Sequence, residues 1–257
     1  MKRKNLKRNL ALIFSLFLLL NTATAQRVDD YCAFSARMLE AIRDGRSVET
    51  ELHQLSRFNA DTLAAALNTD ALRKAFWVNI YNIAAQTALQ KDSSLVLAKA
   101  AYTEKDIIYV AGRHLSLDFI LHRILRRSKN KYGLGYVNKI FISEYEKQMR
   151  VEYVDYRIHF AVNNGTASCS AIDIYQPATV DDQLNRATIF FLHKQCPYND
   201  TTRTVSLPKM LEWYKADFGN EKGMYQFLEK LLIIPADKKV KIHYRDYDWT
   251  LKLNNFL

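Results

Sequence analysis

Two residues that could act together in nucleophilic catalysis lie close to each other in this chain. Cys169 lies in a loop of small residues, and His159 lies in a preceding segment whose apolar residues alternate as in a β-strand. A thiol needs a nearby base to become an effective nucleophile, and a turn between strand and loop would bring these side chains together. The segment therefore predicts a thiol site with His159 as its base.

A second histidine, His122, follows Asp118 by one turn of a predicted helix. A carboxylate at this spacing can orient an imidazole and stabilise its cation, so His122 is an alternative base with Asp118 as its partner. The same spacing is also common among charge pairs on helix surfaces. Taken alone, the pair is interpreted as structural.

Several amides and aromatic residues are candidates for a binding site. Asn79, Asn82 and Gln86 share one stripe of an otherwise apolar helix. A buried amide without a partner costs about 1–3 kcal/mol, so these side chains must find hydrogen bonds. The pattern favours an interpretation in which they hold neighbouring backbone. The alternative is that they line a site, and the candidate binding residues are then Asn79, Asn82, Asn163, Tyr247 and Trp249.

The elements that position these residues are mostly helical. The predicted helices are 28–43, 47–55, 61–67, 69–90, 117–127, 179–193, 209–218 and 221–232, and the predicted strands are 105–110, 156–162, 201–207 and 240–253. Helices come first, and helices mixed with strands follow, which predicts an α+β fold. We expect a helix-rich single domain whose central helix, apolar nearly all round, packs on a mixed or antiparallel sheet that includes 158–162 and 244–249.

The first 25 residues have the layout of a secretory signal peptide. A basic head precedes an apolar core that is too short for an ordinary membrane span, and Ala23-Thr24-Ala25 forms a small-residue cleavage site. The sequence thus predicts a periplasmic or secreted protein that begins at Gln26 and has no membrane span after signal removal. Residues 26–68 are predicted to form a helical extension, and residues 69–257 the α+β domain.

Charge and motifs exclude several classes of function. The five basic residues of the signal segment supply half of the net charge of +10, and the remainder shows no clustered basic face. The short basic run 123–131 is interpreted as a solvated helix end, so nucleic-acid binding is not expected. No glycine-rich phosphate loop and no close His/Cys pair occurs, so neither a cofactor nor a metal is predicted.

Three cysteines remain after export: Cys32, Cys169 and Cys196. An oxidising compartment and an odd number make one disulfide and one free thiol the simplest arrangement. A Cys32–Cys196 bridge would leave Cys169 free, whereas a Cys169–Cys196 bridge would abolish its reactivity. The sequence leaves both pairings open.

Several short motifs follow one another in a characteristic order. They are Ala75-Phe-Trp-Val-Asn-Ile-Tyr-Asn82, Leu115-Ser-Leu-Asp118 with His122, Asp155-x-Arg157-Ile-His-Phe-Ala161, Ser168-Cys169, Trp213-Tyr214 with Asp217-Phe218, and Tyr247-Asp-Trp249. Their order and spacing resemble the family called domain of unknown function 547, over a core of about 72–253. That family usually has a cysteine where this chain has Asn164, which argues against a two-thiol site. It has no settled function, so the resemblance points to a site and not to a reaction.

Two functions from different classes fit these features. The chain contains 15 Tyr and 3 Trp, which slightly favours a binding or scaffolding role through a polar and aromatic cleft. Its partner would be a peptide, a glycan or a cell-envelope protein. The alternative is a papain-like thiol hydrolase or transferase, with Cys169 as nucleophile, His159 or His122 as base, and Asp118 to orient an imidazole.

Overall fold

The computed structural model describes residues 31–236 and 238–257. The predicted signal peptide, its cleavage site and the first residues of the first predicted helix lie outside these described residues.

Eight α-helices and five short strands are found in the described ranges. The helices are α1 (31–43), α2 (Glu49–Ser56), α3 (Ala60–Ala66), α4 (Asp70–Lys91), α5 (Glu144–Met149), α6 (Val180–Gln195), α7 (Lys209–Trp213) and α8 (Asn220–Lys230). The strands are β1 (Asp106–Val110), β2 (Arg113–Ser116), β3 (Tyr198–Asn199), β4 (Thr204–Pro208) and β5 (Lys241–Arg245). Ser93–Glu104, Tyr156–Phe160 and Lys215–Phe218 form 3₁₀ turns, and Phe119–Leu125 is a π-helix. The predicted fold class, a helix-rich α+β domain, is confirmed.

The longest helix, α4, is the centre of the larger hydrophobic core. The hydroxyl of Thr69 caps it by accepting a hydrogen bond from the backbone N–H of Leu72 at 3.3 Å. Phe76 and Ile83 have no exposed surface, as predicted from the all-round apolar pattern. Burial of each such side chain contributes about 1.5–3 kcal/mol, which makes α4 the framework for the rest of the domain.

The amino-terminal helices belong to the same core as α4. Leu39 of α1, Leu55 of α2 and Leu63 of α3 are completely buried in one cluster with the α4 side chains. The antiparallel hairpin β1–β2 packs there too, through Ile108 and Leu115. Residues 31–68 thus pack as part of the main core.

A second, smaller core lies beneath a three-stranded mixed sheet. Strand β4 runs antiparallel to β3 and parallel to β5, and α6 and α8 cover the sheet with apolar side chains. The sequence predicted a mixed or antiparallel sheet that includes 158–162 and 244–249. The sheet is mixed and contains the first residues of 244–249, but 158–162 is not part of it. Strand β5 belongs to this second core, whereas α4 packs against the hairpin strand β1 in the first.

The predicted strand 156–162 is wrong, because residues Tyr156–Phe160 form a 3₁₀ turn. The side chain of Asp155 accepts a hydrogen bond from the backbone N–H of Arg157 at 3.1 Å, which favours a turn over an extended chain. Ile158, His159 and Phe160 are all buried, because the segment lies between the two cores. Burial on every side removes the alternation that the sequence pattern suggested.

No helix within the described ranges is long and apolar enough to cross a membrane.

Candidate functional site

Cys169 lies in a loop that is fixed by short-range turns and by the carboxyl-terminal segment. Gly165 has a φ of 82°, and a side chain at this position would collide with Leu89 of α4. The backbone N–H of Ala167 donates to Thr250 O at 2.8 Å, and the N–H of Lys252 donates to Gly165 O at 2.7 Å. The cysteine loop is therefore held between the central helix and residues 247–252.

The thiol of Cys169 is half-buried and has polar neighbours. It donates to Asn164 Oδ1 at 3.1 Å, and the hydroxyl of Tyr247 lies 3.3 Å from the sulfur. The backbone N–H of Asn164 points at the same sulfur from 3.4 Å. Burial beside Cys169 raises the pKa of Tyr247 well above its usual range, so this phenol stays neutral and can act as a donor. The resting thiol is bonded to these groups and not to an imidazole.

His159 lines the same small cleft as Cys169, a space of about 60 Å³. The imidazole stacks on the ring of Tyr214 with 4.1 Å between centroids and 8° between planes. Its Nε2 lies 2.9 Å from Asp217 Oδ2, and its Nδ1 is buried and has no hydrogen-bond partner among the described residues. Of the two ring nitrogens of His159, Nδ1 is therefore the one that is not already bonded to Asp217.

Asp217 fixes the tautomer of His159. The Nε of Arg126 donates to Asp217 Oδ2 at 2.6 Å, and Nη2 donates to Oδ1 at 3.2 Å. Burial raises the pKa of Asp217, but hydrogen bonds from His159 and Arg126 outweigh it and lower the pKa to about 2. The ionised carboxylate can only accept, so the neutral imidazole carries its proton on Nε2 and a lone pair on Nδ1.

The charge of Asp217 is protected from solvent by a neighbouring loop. Gly135 has a φ of 87°, and a Cβ there would lie 2.7 Å from Asp217 Oδ1. Only glycine lets the loop backbone come this close to the carboxylate. The side chains of Asp217, Arg126 and His159 are all 1 % exposed or less.

Asp118 and His122 line a second cleft, of about 370 Å³, and Cys169 is not part of its wall. The Nη1 of Arg126 donates to His122 Nδ1 at 2.8 Å, so this nitrogen has no free lone pair. The other nitrogen of His122 lies 3.7 Å from Asp118 Oδ1. The predicted role of His122 as a base for Cys169 does not fit this arrangement, and Asp118 does not contact His159.

The candidate binding residues Asn79, Asn82 and Asn163 hold backbone and are not exposed. Asn79 accepts from the N–H of Tyr175 at 3.0 Å and donates to the carbonyl of the same residue at 2.9 Å. Asn82 accepts from the N–H of Asn163 and donates to Ala161 O. The amide of Asn163 in turn binds the backbone of Gly165 and Ser170. Their polar groups are used within the fold, which corrects the alternative that they line a binding site.

Aromatic side chains form one wall of the cleft around Cys169. The ring of Tyr247 stacks on Trp213, with centroids 5.0 Å apart, and makes a tilted contact with Trp249 at 4.6 Å. Trp213 and Tyr247 line the cleft, whereas Trp249 contacts Tyr247 and is not part of the lining. Of the two aromatic residues predicted for binding, Tyr247 is the one in the wall.

Three residues of the site were missed as functional residues by sequence reasoning: Arg126, Ser170 and Asp217. Asp217 was visible as part of a motif, but no local pattern links it to His159, which lies 58 positions earlier. Ser170 Oγ is buried in the wall of the cleft and makes no hydrogen bond among the described residues. Nothing in the sequence around Ser170 indicates that its hydroxyl is buried in the wall of a cleft.

No disulfide joins Cys32, Cys169 and Cys196, all of which lie in the described ranges. The expected single bridge is therefore wrong. Cys32 donates to Leu72 O in the core around α4, whereas Cys196 lies in the core beneath the mixed sheet. Burial raises the pKa of Cys196 to about 12, so its thiol stays protonated.

The buried network predicts that the protein loses stability in acid. Burial lowers the pKa of both His159 and His122, and Asp217 titrates at about 2 against a usual 3.8. The unfolded chain binds protons at a higher pH than the native state, so stability is complete above about pH 6.5 and falls below it. Asp217 adds a loss of about 2 kcal/mol between about pH 4 and pH 2. Urea unfolding across this pH range checks the prediction. The free energy of unfolding should fall less steeply with acid in His122→Gln than in the parent protein. His193→Gln, at an exposed position, is the control and should behave like the parent. A free energy of unfolding that stays constant from pH 7 to pH 5 would contradict it.

Comparisons with known proteins agree with the motifs in this site. Residues 65–192 match the model of a family described as "Protein of unknown function, DUF547", which confirms the predicted resemblance over this range. The matched range includes His159 and Cys169 but ends before Asp217 and Tyr247. No curated protein and no solved structure matched the chain.

Proposed function

We propose that this DUF547-like protein is an exported cysteine-dependent hydrolase or transferase. Cys169 is the nucleophile, His159 the base, and Asp217 the residue that orients the base. One observation carries the proposal: buried His159, whose Nδ1 has no hydrogen-bond partner among the described residues, lines the cleft that contains the half-buried thiol of Cys169. A buried nitrogen without a partner costs free energy, and this cost is offset when a donor such as the thiol or a substrate group hydrogen-bonds to it.

The chemistry is acyl transfer through a thioester. The thiol proton of Cys169 passes to His159 Nδ1 as the sulfur forms a bond to the carbonyl carbon of the substrate. The imidazolium is stabilised by Asp217, whose carboxylate is already ionised and hydrogen-bonded to Nε2. The bond to the leaving group then breaks, and the leaving group takes the proton from Nδ1. Water or another nucleophile attacks the thioester, gives its proton to Nδ1, and releases the acyl group, while the sulfur regains a proton.

The resting hydrogen bonds of Cys169 fit a thiol that waits for substrate. Its proton is directed at Asn164 Oδ1, and a substrate in the cleft would displace this contact so that the sulfur turns toward Nδ1. Hydrogen bonds in an empty site are often looser than in the reacting complex. The neutral hydroxyl of Tyr247, 3.3 Å from the sulfur, and Ser170 Oγ, from a residue that lines the cleft, are the donors that would stabilise the oxyanion.

The aromatic wall selects the substrate in this proposal. Trp213 and Tyr247 offer flat apolar faces beside the thiol, which suit the side chain of a peptide or the face of a sugar ring. The amino-terminal segment with its basic head and apolar core supports export, so we place the protein in the periplasm or outside the cell. Its substrates would then be peptide or glycan conjugates of the envelope, and the binding role suggested by the composition becomes part of catalysis.

Alkylation of the thiol tests the proposal directly. We expect iodoacetamide to modify Cys169 of the native protein faster than a cysteine in an unstructured peptide near neutral pH, because His159 can accept the thiol proton as the sulfur attacks. Replacement of His159 by Gln should slow the reaction by about tenfold or more. Peptide mapping by mass spectrometry separates Cys169 from the buried Cys32 and Cys196.

His122→Gln is the matched control, because His122 is buried in the same network but does not line the thiol cleft. It should leave the alkylation rate of Cys169 within about twofold of the parent protein. With p-nitrophenyl acetate, the parent should form an acetyl adduct on Cys169 that His159→Gln forms slowly. Equal rates in the His159 and His122 variants, or a Cys169 that resists alkylation in the native state, would rule out this catalytic assignment.

A further inference from the structure

A basic and aromatic loop, residues 127–141, protrudes beside the second cleft. No acidic residue occurs between Phe119 and Ser143. The loop exposes Tyr132, Ile140 and Phe141 to 79, 86 and 83 %. It also carries Arg127, Lys129, Lys131 and Lys139. Large apolar side chains are rarely exposed together on a soluble surface without a partner.

Backbone hydrogen bonds fix the conformation of this loop and so keep these side chains exposed. The N–H of Asn130 donates to Val137 O at 2.8 Å, and the N–H of Lys139 donates to Ser128 O at 2.8 Å. Beyond the loop, the N–H of Ala216 donates to Leu134 O at 3.0 Å. The loop therefore has a defined shape that holds its apolar side chains away from the core.

Cations from the same loop surround the second cleft. Lys129 and Lys139 line it and form no ion pair in the described ranges, whereas Lys131 is bound to Glu104 and Asp118. Arg123 also lines the cleft. Its buried Nη1 forms a long ion pair with Glu146 Oε1 at 4.0 Å and makes no hydrogen bond within the described ranges. The cleft also contains the carboxylates of Glu104 and Asp118, but Lys131 binds both. The Arg123 guanidinium and the ammonium groups of Lys129 and Lys139 remain, a set that suits a phosphate group.

We propose that the basic and aromatic loop docks on the surface of an anionic phospholipid bilayer. Tyr132, Ile140 and Phe141 enter the interface between headgroups and acyl chains, where aromatic and aliphatic side chains are stable. Arg123, Lys129 and Lys139 bind lipid phosphates at the cleft, and each basic residue near a charged membrane contributes about 1 kcal/mol. The basic run that the sequence suggested was a solvated helix end is then a docking element. This proposal is independent of the thiol reaction.

A lipid surface fits the loop better than a nucleic acid does. Phosphate backbones are bound mainly by cations, and they offer no apolar layer to cover an aliphatic side chain such as Ile140. The apolar tip and the cations lie on one loop, so a single planar surface with charged groups above an apolar interior contacts both. A protein partner is the alternative outcome of the test below.

Vesicle sedimentation tests the docking surface. The protein without residues 1–25 retains every described element and lacks the apolar signal segment. We expect it to bind phosphatidylglycerol vesicles more tightly than phosphatidylcholine vesicles, with an affinity that falls as salt is raised. The double variants Ile140→Ser/Phe141→Ser and Lys129→Gln/Lys139→Gln should each bind phosphatidylglycerol at least about tenfold more weakly.

Leu97→Ser and Tyr153→Ser are the matched controls, because these side chains are 78 and 72 % exposed and lie outside the loop. Both should bind vesicles like the parent protein. Equal binding of the loop variants and the parent, or no preference for the anionic lipid, would overturn the proposal. A third outcome is that the parent protein binds no vesicles but forms a defined complex with another protein, and that both loop variants lose this complex. The surface then belongs to a protein partner, and the lipid assignment is wrong.

Discussion

Replacement of Arg126 by Met should lower the free energy of unfolding by about 3–5 kcal/mol, because it leaves a buried carboxylate without its partner. Arg126 is completely buried and donates two hydrogen bonds to Asp217, and its guanidinium lies 4.4 Å from the centre of the Tyr214 ring. A methionine side chain fills most of the space of the arginine. The loss of stability therefore reports the missing charge and hydrogen bonds more than a change in packing. Urea unfolding near neutral pH gives the difference directly.

Arg127→Met is the matched control, since Arg127 is the next residue in the chain and its side chain is exposed. Its replacement should change stability by less than about 0.5 kcal/mol. Addition of Asp217→Asn to Arg126→Met removes the uncompensated charge, so this double variant should regain part of the lost stability. A loss no larger than that of Arg127→Met would show that the buried pair contributes little to the fold.

The central helix and its cap were predictable because their signals are local. An apolar surface on every side requires burial wherever the helix lies in the fold, and a threonine before the first turn satisfies an amide of that same turn. The observed helix Asp70–Lys91, capped by Thr69, agrees with this prediction to within a residue at each end.

The conformation around His159 was not predictable, because distant residues determine it. The alternating pattern of 156–162 is typical of a strand with one buried face, but here two cores bury both faces. The carboxylate of Asp155 stabilises the turn and also binds Lys74, which lies 81 positions away. A sequence pattern shows which residues are apolar, but it does not show whether one face or both faces of a segment will be buried in the fold.

The site itself was predicted in part. Cys169 and His159 were identified from their types and motifs, and they line one cleft. Asp217 and Arg126 complete the arrangement through hydrogen bonds that span 58 and 91 positions. Single-sequence reasoning pairs residues that are neighbours on one helix or strand, which is why it paired His122 with Asp118 and did not connect Asp217 with His159.

Replacement of Asn82 by Leu should destabilise the protein by about 2–5 kcal/mol and remove the influence of His159 on Cys169. The amide of Asn82 holds the N–H of Asn163 and the carbonyl of Ala161, and each buried backbone group left unpaired costs about 1–3 kcal/mol. Asn163 transmits this restraint to the cysteine loop, because its own amide binds Gly165 and Ser170. In the parent protein, His159→Gln should slow alkylation of Cys169 by about tenfold. In a protein that already carries Asn82→Leu, the same replacement should leave the alkylation rate about unchanged.

Asn79→Leu provides the comparison that separates positioning from stability. Asn79 lies one turn earlier on α4, is equally buried, and holds the N–H and the carbonyl of Tyr175, so its loss should cost a similar free energy of unfolding. It does not bind the backbone between His159 and Cys169. The dependence of alkylation on His159 should therefore survive in Asn79→Leu under conditions in which both variants are folded. Loss of that dependence in both variants would mean that general loosening of the core, and not the restraint from Asn82 through Asn163, controls the reactivity of the thiol.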